Sequence, residues 1–312
     1  MNFADALGAE DENREVDFLR EQLAGVLEAY KTPGKAPRWK GRRRLEVADS
    51  GPVHVVIPDT QAKPGVPNDH LAWIGHYIAD KFSGRDTTII HLGDHWDMPS
   101  LSSYDKGKKA MEGRRYIADV VAGNRAFALL DDPIAAESAK ADWHPRKVLL
   151  RGNHENRIVR ATEIDAQLEG LLSLEALDSR DWEVHDFLDV VDIDGVLYSH
   201  YFYNPMNGRP YGGQNVETRL KTIGHSFTMG HQQTLQYGLR FVNGVSQHGL
   251  VCGAAYQHEE DYLGPQGNAH WRGIVICHNV KAGSYSPMFV PLDYLCRRYE
   301  GHSLEDHEGQ EL

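Results

Sequence analysis

The stretch Leu150-Arg151-Gly152-Asn153-His154-Glu155 follows Lys147-Val148-Leu149, which we predict to be the end of a buried strand. Gly152 allows the backbone to turn sharply after that strand. Asn153 offers an amide oxygen, and His154 offers a ring nitrogen that titrates near neutral pH. The same pattern is also typical of an ordinary surface loop, so its meaning depends on the rest of the chain.

Two earlier segments have the same form. The strand predicted at residues 53–58 ends in Asp59-Thr60-Gln61, and the strand predicted at 87–92 ends in Gly93-Asp94-His95-Trp96-Asp97. Helical patterns at 71–82 and at roughly 110–130 separate the three strands. This alternation, with nearly continuous apolar strands, predicts an α/β fold with a parallel sheet and helices on its faces.

The second half of the chain is richer in strands, and two of them end in histidine. These ends are Tyr198-Ser199-His200 and Gly230-His231-Gln232-Gln233. The predicted strands span 182–187, 190–199 with a turn at Asp194-Gly195, 226–229, 250–256, 273–278 and 286–290.

We divide the 312 residues into three regions. Residues 1–50 form a helical and basic N-terminal extension, 51–300 the main domain and 301–312 an acidic, mobile tail. Apolar residues at spacings of three and four predict a helix at 11–31. The basic run at 35–44, which includes Trp39, suits either a nucleic-acid-binding arm or a solvated linker.

Composition limits the function classes. The net charge of −12 argues against broad attraction to nucleic acid or anionic membranes, but it permits a local basic groove. The sequence contains no run of 18 apolar residues and no signal peptide, so we expect no membrane partner. Cys252, Cys277 and Cys296 form no CxxC pair, which suggests reduced core thiols in a cytoplasmic protein.

Five predicted strands end in a residue that can bind metal. These residues are Asp59, Asp94, Asn153, His200 and His231. Ligands gather beyond the carboxyl ends of strands in sheets of this kind, so the five could share one pocket. A set without thiolates suits Mn, Fe, Mg or Zn in an open site, and Asp94 is our candidate for an aspartate that bridges two ions.

The order of these motifs resembles the calcineurin-like metallophosphoesterase family over most of residues 53–240. The family pattern is D-x-H, GDxxD, GNHE, a lone His and GHxH, each after a strand. The resemblance implies a four-layer α/β/β/α sandwich with two metal ions. It places Asp59 and bridging Asp94 on the first ion, and Asn153, His200 and His231 on the second.

The resemblance also makes His154 the acid that assists the leaving group, with Asp97 holding its ring. The sequence departs from the family at two ligands of the first metal, where Gln61 and Gln233 replace histidines. Three interpretations stay open: an oxygen-favouring metal such as Mn or Mg, a weak site filled together with substrate, or a single-metal site. We expect two divalent ions, Mn foremost, with Mg, Fe or Zn as alternatives.

The implied reaction is hydrolysis of a phosphate ester, in which metal-activated hydroxide attacks and His154 protonates the departing oxygen. Arg157 and Arg114 are candidates to grip the phosphate, and Arg160 and Arg115 are less specific ones. Each could equally lie on an exposed helix face. The aromatic, Gly-rich stretch at 201–213 suits either base stacking or an ordinary packed loop.

Three hypotheses follow for the function. The first is a phosphodiesterase, such as a nuclease acting on DNA or RNA, and the second is a phosphomonoesterase on nucleotides or phosphoproteins. The third is a non-catalytic nucleic-acid or partner-binding module with a degraded first metal site. The overall texture is similar to phage-encoded members of the family, which would place the protein in the host cytoplasm. The sequence makes no prediction of oligomeric state.

Overall fold

The computed structural model describes residues 51–308 except 212–214 and 261–263, together with Asp17, Arg20, Glu21 and Ala24. These last four positions are helical; the rest of the N-terminal extension, including the basic run, lies outside the described residues. Within the described part, the chain has a mixed α/β fold with two large sheets and seven helices. None of the helices in that part is both long and apolar enough to cross a bilayer.

The strands are numbered in chain order. They are β1 (Val53–Ile57), β2 (Thr87–His91), β3 (Arg146–Leu150), β4 (Glu183–His185), β5 (Val191–Ile193), β6 (Val196–Ser199), β7 (Tyr203–Asn204), β8 (Arg209–Pro210), β9 (Phe227–Met229), β10 (Leu235–Val242), β11 (Val245–Cys252), β12 (Gly273–Lys281) and β13 (Ser284–Pro291).

The helices are also numbered in chain order among the described residues. They are α1 (Asp69–Phe82), α2 (Tyr116–Ala141), α3 (Arg157–Ile164), α4 (Val216–Ile223), α5 (Gly264–Asn268), α6 (Leu292–Tyr299) and α7 (Leu304–Glu308). The predicted helix at 110–130 is therefore displaced along the chain, because residues 109–111 form a separate 3₁₀ turn before α2 begins.

The first sheet has the strand order β13-β12-β1-β2-β3-β4. Neighbours from β1 to β4 run parallel, as predicted, whereas β12 and β13 extend the sheet in antiparallel fashion. Every residue of β1 and β2 is buried, which explains their nearly continuous apolar sequence: both faces of these strands are covered.

The second sheet has the order β10-β11-β9-β6-β5, and a separate two-stranded hairpin joins β7 to β8. The predicted strand at 250–256 is only the end of β11, and β10 was not predicted. The missed signal is Asn243-Gly244 between them, where both residues have positive φ (52° and 80°). Asn-Gly between two strands is typical of a tight hairpin turn.

Hydrophobic side chains form three cores. The first lies between one face of the first sheet and helices α1, α2 and α6. The second joins the opposite face of that sheet to the second sheet, with Ile90 and Val148 on one side and Tyr198 and Leu250 on the other. The third places Val216 and Leu220 of α4 against Phe227 and Val251 of the second sheet.

The region expected to be an acidic mobile tail contains ordered structure. Residues Leu304–Glu308 form α7, and Leu304 packs against the first core. The three cysteines are all buried and are not joined in disulfides, as the sequence suggested.

Candidate metal centre

Asp94, His200 and His231 converge from three different strand ends. One ligand atom of each lies within 4.8 Å of the others, so the group could hold a metal ion. His200 Nε2 is 3.3 Å from Asp94 Oδ2. Asp94 and His200 are buried, whereas His231 is exposed. The group is thus open to solvent on one side.

Asn153 and Asp59 join the same cluster. The Asn153 amide oxygen lies 3.0 Å from His200 Nε2. Asp59 Oδ1 accepts a hydrogen bond of 2.9 Å from the backbone N–H of His231. The structure therefore brings together all five strand-end residues that the sequence singled out.

His200 is held in one orientation by the backbone. Its Nδ1–H donates to the Leu92 carbonyl at 2.7 Å, which leaves Nε2 facing Asp94 and Asn153. A histidine that ligates a metal through one nitrogen commonly uses the other in this way.

The side chain of Gln61 is completely buried, and neither its amide oxygen nor its amide nitrogen has a hydrogen-bond partner among the described residues. The Asp59 Oδ2 atom is also buried and has no hydrogen-bond partner among the described residues. Unpaired buried polar atoms are costly and call for an explanation, and a cation would satisfy both oxygens. Gln233 differs, because its amide oxygen accepts a 2.8 Å hydrogen bond from the Tyr256 hydroxyl.

The backbone is unusual at four of these positions. Gln61, Asp94, His231 and Gln233 have φ values of 42°, 50°, 65° and 56°. Few residues other than glycine adopt this left-handed region; aspartate and histidine tolerate it better than glutamine does, and such strain tends to cluster at functional sites. The surrounding loops therefore aim these side chains at a cost in backbone energy.

Two glycines leave room for the carboxylates. A Cβ at Gly152 would lie 2.1 Å from Asp94 Oδ1, and a Cβ at Gly230 would lie 2.4 Å from Asp59 Oδ1. Any side chain at these positions would displace a carboxylate. Close approach to Asp94 is therefore what requires glycine at Gly152; its φ is not positive, so the turn expected from the sequence does not need one.

His154 forms a pair with Asp97 beside the cluster. Its Nδ1 lies 2.6 Å from Asp97 Oδ1, and its Nε2 lies 3.7 Å from Asp94 Oδ2 and 3.1 Å from an Arg157 nitrogen. Arg157 also donates to the Asp97 backbone carbonyl at 2.7 Å. The ring of His154 is therefore fixed with Nε2 toward the cluster.

Lys63 and Glu260 complete the surroundings of Asp97, and the sequence analysis missed both. Lys63 Nζ lies 3.2 Å from Asp97 Oδ2 and 2.6 Å from Glu260 Oε1, which also contacts His258 Nε2 at 2.8 Å. Lys63 stands two positions after Gln61 of the Asp59-Thr60-Gln61 motif and could have been noticed. Glu260 lies about two hundred residues away in sequence and carries no motif.

Glu155 joins the two loops that carry Asp94 and Asn153. Its carboxylate accepts four backbone N–H groups, from Asp94, His95, Trp96 and Gly152, at 2.6–3.0 Å. Burial raises the pKa of Glu155, and the nearby Asp94 charge raises it further. Its role is to hold these loops together.

His91 and His95 are packed beside the centre. Both rings contact the Thr60 hydroxyl, at 3.1 and 2.7 Å, and His95 Nε2 also donates to the Gly123 carbonyl. Burial lowers the pKa of both histidines, that of His95 to about 4. Their contacts make them structural groups that pack beside the centre.

Charge within the cluster shifts several pKa values. Burial alone would raise the pKa of Asp94, but His154 and His200 outweigh it and lower that pKa. Burial would lower the pKa of His200, yet Asp94 raises it to about 9. The pKa of His154 is raised by Asp94 and Asp97 against the effect of burial. Burial raises the pKa of Asp59 to about 7, and desolvation lowers that of His231 to about 4.

Of the predicted phosphate-binding arginines, only Arg157 contacts the predicted catalytic residues. Arg114 instead donates to the Pro99 carbonyl and pairs with Asp105 at 2.9 Å. Arg160 contacts the Ser103 hydroxyl at 3.3 Å. Arg114 therefore makes its contacts within the segment before α2, and not with the predicted catalytic residues.

Aromatic rings lie along one side of the centre. The ring centroid of Tyr201 lies 4.5 Å from that of His231. Tyr201 also stacks on Tyr203, with 5.5 Å between their ring centroids. Phe187 packs edge-on against Tyr201. Residues 212–214 of the predicted aromatic loop lie outside the described residues.

Comparisons with known proteins identify no relative: no family model matches this sequence, and no curated protein matches it.

Proposed function

We propose that the protein is a metal-dependent phosphodiesterase of the calcineurin-like metallophosphoesterase type. One observation carries the proposal: the convergence of Asp94, His200 and His231 within 4.8 Å, beside the His154–Asp97 pair. Carboxylate, imidazole and amide ligands next to an oriented imidazole suit metal-assisted hydrolysis of phosphate esters. The three cores are consistent with the four-layer α/β/β/α sandwich that this proposal entails.

The donor set fits two divalent ions. Asn153, His200 and His231 would hold one, and Asp59 and Gln61 the other, with Asp94 shared between them. The unpartnered oxygens of Asp59 and Gln61 support the second position. The oxygen-rich character of that position favours Mn²⁺ or Mg²⁺. Gln233 is a weaker candidate, since its oxygen already accepts from Tyr256.

Bound ions would polarise the phosphoryl group and activate water. The residues of the chain then divide the remaining work. Asp97 accepts a hydrogen bond from His154 Nδ1–H. This contact directs Nε2 toward the place where a leaving oxygen would be protonated. Arg157, which donates to that nitrogen at 3.1 Å in this structure, would turn to a phosphate oxygen when Nε2 carries the proton.

The aromatic rings favour a diester with a base or sugar attached. Tyr203 is exposed at 39% and stacks on Tyr201, which itself lies over the His231 ring. A base stacked on an aromatic side chain gains about 1–3 kcal/mol, and a simple phosphate ester gains nothing there. Single-stranded DNA or RNA is therefore the substrate class that we propose.

The test is a parallel assay of the protein loaded with Mn²⁺ on bis-p-nitrophenyl phosphate, p-nitrophenyl phosphate and single-stranded DNA. Turnover of the diester and of DNA is the expected result. Turnover of the monoester alone would replace the proposal by a phosphomonoesterase. Binding of DNA without turnover of any substrate would identify a non-catalytic binding module.

A paired variant separates the centre from contaminating activity. Asp94→Asn should abolish turnover of every substrate, because it removes the charge shared by the whole cluster. Asp142→Asn, which makes the same change on a fully exposed side chain, should leave turnover unchanged. Equal activity of both variants would overturn the assignment of the centre.

A further inference from the structure

A second cluster of metal-binding side chains lies far along the chain from the first. Cys296 of α6, His302 of the following loop and His307 of α7 each offer one ligand atom, and these atoms lie within 4.8 Å of one another. Cys296 is completely buried, and the two histidines are half-buried. We propose that these three residues, with Asp69 as the fourth ligand, bind one structural Zn²⁺ ion.

The distances suit a tetrahedral ion. With Zn–S near 2.3 Å and Zn–N near 2.0–2.1 Å, a tetrahedral ion separates sulfur from nitrogen by about 3.6 Å. The Cys296 Sγ and His302 Nδ1 atoms are 3.9 Å apart, and this Nδ1 also lies 3.2 Å from the Ser303 carbonyl, a hydrogen bond that ion binding would replace. The same geometry separates nitrogen from a carboxylate oxygen by about 3.4 Å. His307 Nε2 and Asp69 Oδ2 are 3.7 Å apart, but Asp69 lies outside the mutually close group of three, so its half-exposed carboxylate would have to rotate toward the ion as the ion binds.

His307 supplies an independent observation. Its Nε2 atom is buried and has no hydrogen-bond partner among the described residues, because the Asp69 oxygen is too distant for one. The ring is nevertheless held by an edge contact with Trp73, whose ring centroid lies 5.1 Å away. An oriented imidazole with an unpaired buried nitrogen is what a metal site without its ion presents.

The ligand types select the metal. One thiolate, two imidazoles and one carboxylate suit Zn²⁺, and four protein ligands leave no open position for chemistry. This differs from the centre of Asp94 and His200, whose donors are oxygen and nitrogen only. The two sites should therefore take different metals, which makes them separable by experiment.

The position of the cluster indicates what the ion stabilises. Helix α7 has only five residues, and isolated helices shorter than about 12–15 residues are marginal in water. Its anchors include Leu304, which packs on the first core, the Leu304 N–H, which donates to Asp293, and the edge contact of His307 with Trp73. An ion shared by His307, Cys296 and Asp69 would tie α7 to both α6 and the start of α1.

Cobalt substitution tests the site without using activity. The protein is stripped with a chelator and titrated with Co²⁺, and the thiolate-to-cobalt charge-transfer absorption is followed. Only a site that contains a cysteine gives this band, so ions in the first centre do not contribute. One Co²⁺ per chain should produce the band, and one equivalent of Zn²⁺ should displace it. Absence of the band in the unsubstituted protein would overturn the proposal.

Three variants test whether the absorption band arises from the proposed site. Cys296→Ser should abolish it, and His307→Asn should weaken Co²⁺ binding by roughly tenfold or more, as expected for loss of a ligand. Cys277→Ser, a matched change at a buried cysteine of the second core, should leave the band intact. Retention of the band in both Cys296→Ser and His307→Asn would refute the assignment. Because His307 lies outside the core, its variant keeps the test valid if Cys296→Ser does not fold.

Discussion

At the residue scale, Asp94 shows how one side chain can organise a site. Its Oδ1 accepts the backbone N–H of His154, and its Oδ2 faces the rings of His200 and His154. Its own backbone has positive φ, and Gly152 provides the space for its carboxylate. A strained backbone and a missing Cβ are thus both used to place one charge.

Replacing His154 by Asn tests its assignment as an acid. Loss of a positioned proton donor should slow hydrolysis of a diester with a poor leaving group by about 10²–10⁴-fold. Bis-p-nitrophenyl phosphate should be affected much less, because its leaving group departs without a proton. The measurement is kcat on both substrates, with His144→Asn at an exposed position as the control. Equal losses on both substrates would contradict the role.

Adding one methyl group at Gly152 tests the space reserved for Asp94. In Gly152→Ala the new Cβ would meet Asp94 Oδ1 at 2.1 Å, so the carboxylate must move. We expect Mn²⁺ binding to weaken by roughly tenfold or more, as measured by isothermal titration calorimetry. Gly84→Ala adds the same group where nothing lies within 4 Å; its φ of 76° strains the backbone there, but it lies at the opposite end of β2 from the centre, so Mn²⁺ affinity should not change. Unaltered affinity in Gly152→Ala would show that the carboxylate has room to move.

At the scale of elements, the centre depends on loops that follow parallel strands. β1, β2 and β3 end at the same edge of the first sheet, because parallel strands place their carboxyl ends together. β6 and β9 are parallel in the second sheet and deliver His200 and His231. Glu155 then joins the loops after β2 and β3 through four backbone hydrogen bonds.

Glu155→Gln tests this junction. The amide keeps one acceptor oxygen but turns a donor toward N–H groups, so buried donors lose their partner. We expect the free energy of unfolding to fall by roughly 2–4 kcal/mol in urea denaturation. Glu183→Gln, at an exposed pair with Arg146, should cost less than about 1 kcal/mol. Similar losses for the two variants would remove the special role of Glu155.

At the scale of the whole molecule, buried histidines couple stability to pH. His70 at the start of α1 is completely buried, and its Nδ1 lies 3.1 Å from Gln257, which follows β11. Burial lowers the pKa of His70 from 6.5 to about 4. The unfolded chain therefore binds a proton in this pH range that the folded chain does not.

The sign of the pH effect follows from that difference. The contribution of His70 is fully present above about pH 6.5 and is lost as the pH falls toward about 4. From about pH 7 to about pH 5, it should account for a loss of about 2 kcal/mol in the free energy of unfolding. Urea denaturation of chelator-treated protein should show this loss, and His70→Gln should reduce it. His144→Gln, at an exposed histidine, should retain the full pH dependence.

The parallel core of the first sheet and the identity of the strand-end residues could be predicted from sequence patterns alone. Local rules suffice for this, because apolar periodicity marks a buried strand and a glycine followed by polar residues marks its end. For the same reason, Asp59, Asp94, Asn153, His200 and His231 could be proposed as one set before their positions were known.

How those residues meet, and what surrounds them, depends on three-dimensional packing. Lys63 and Glu260 come from distant parts of the chain to lie beside Asp97. Contacts between residues distant in sequence depend on packing and strand order, and a one-dimensional pattern does not encode these. The residues of the candidate centre could thus be predicted from motifs, whereas its neighbouring residues and the second cluster could be found only from the fold.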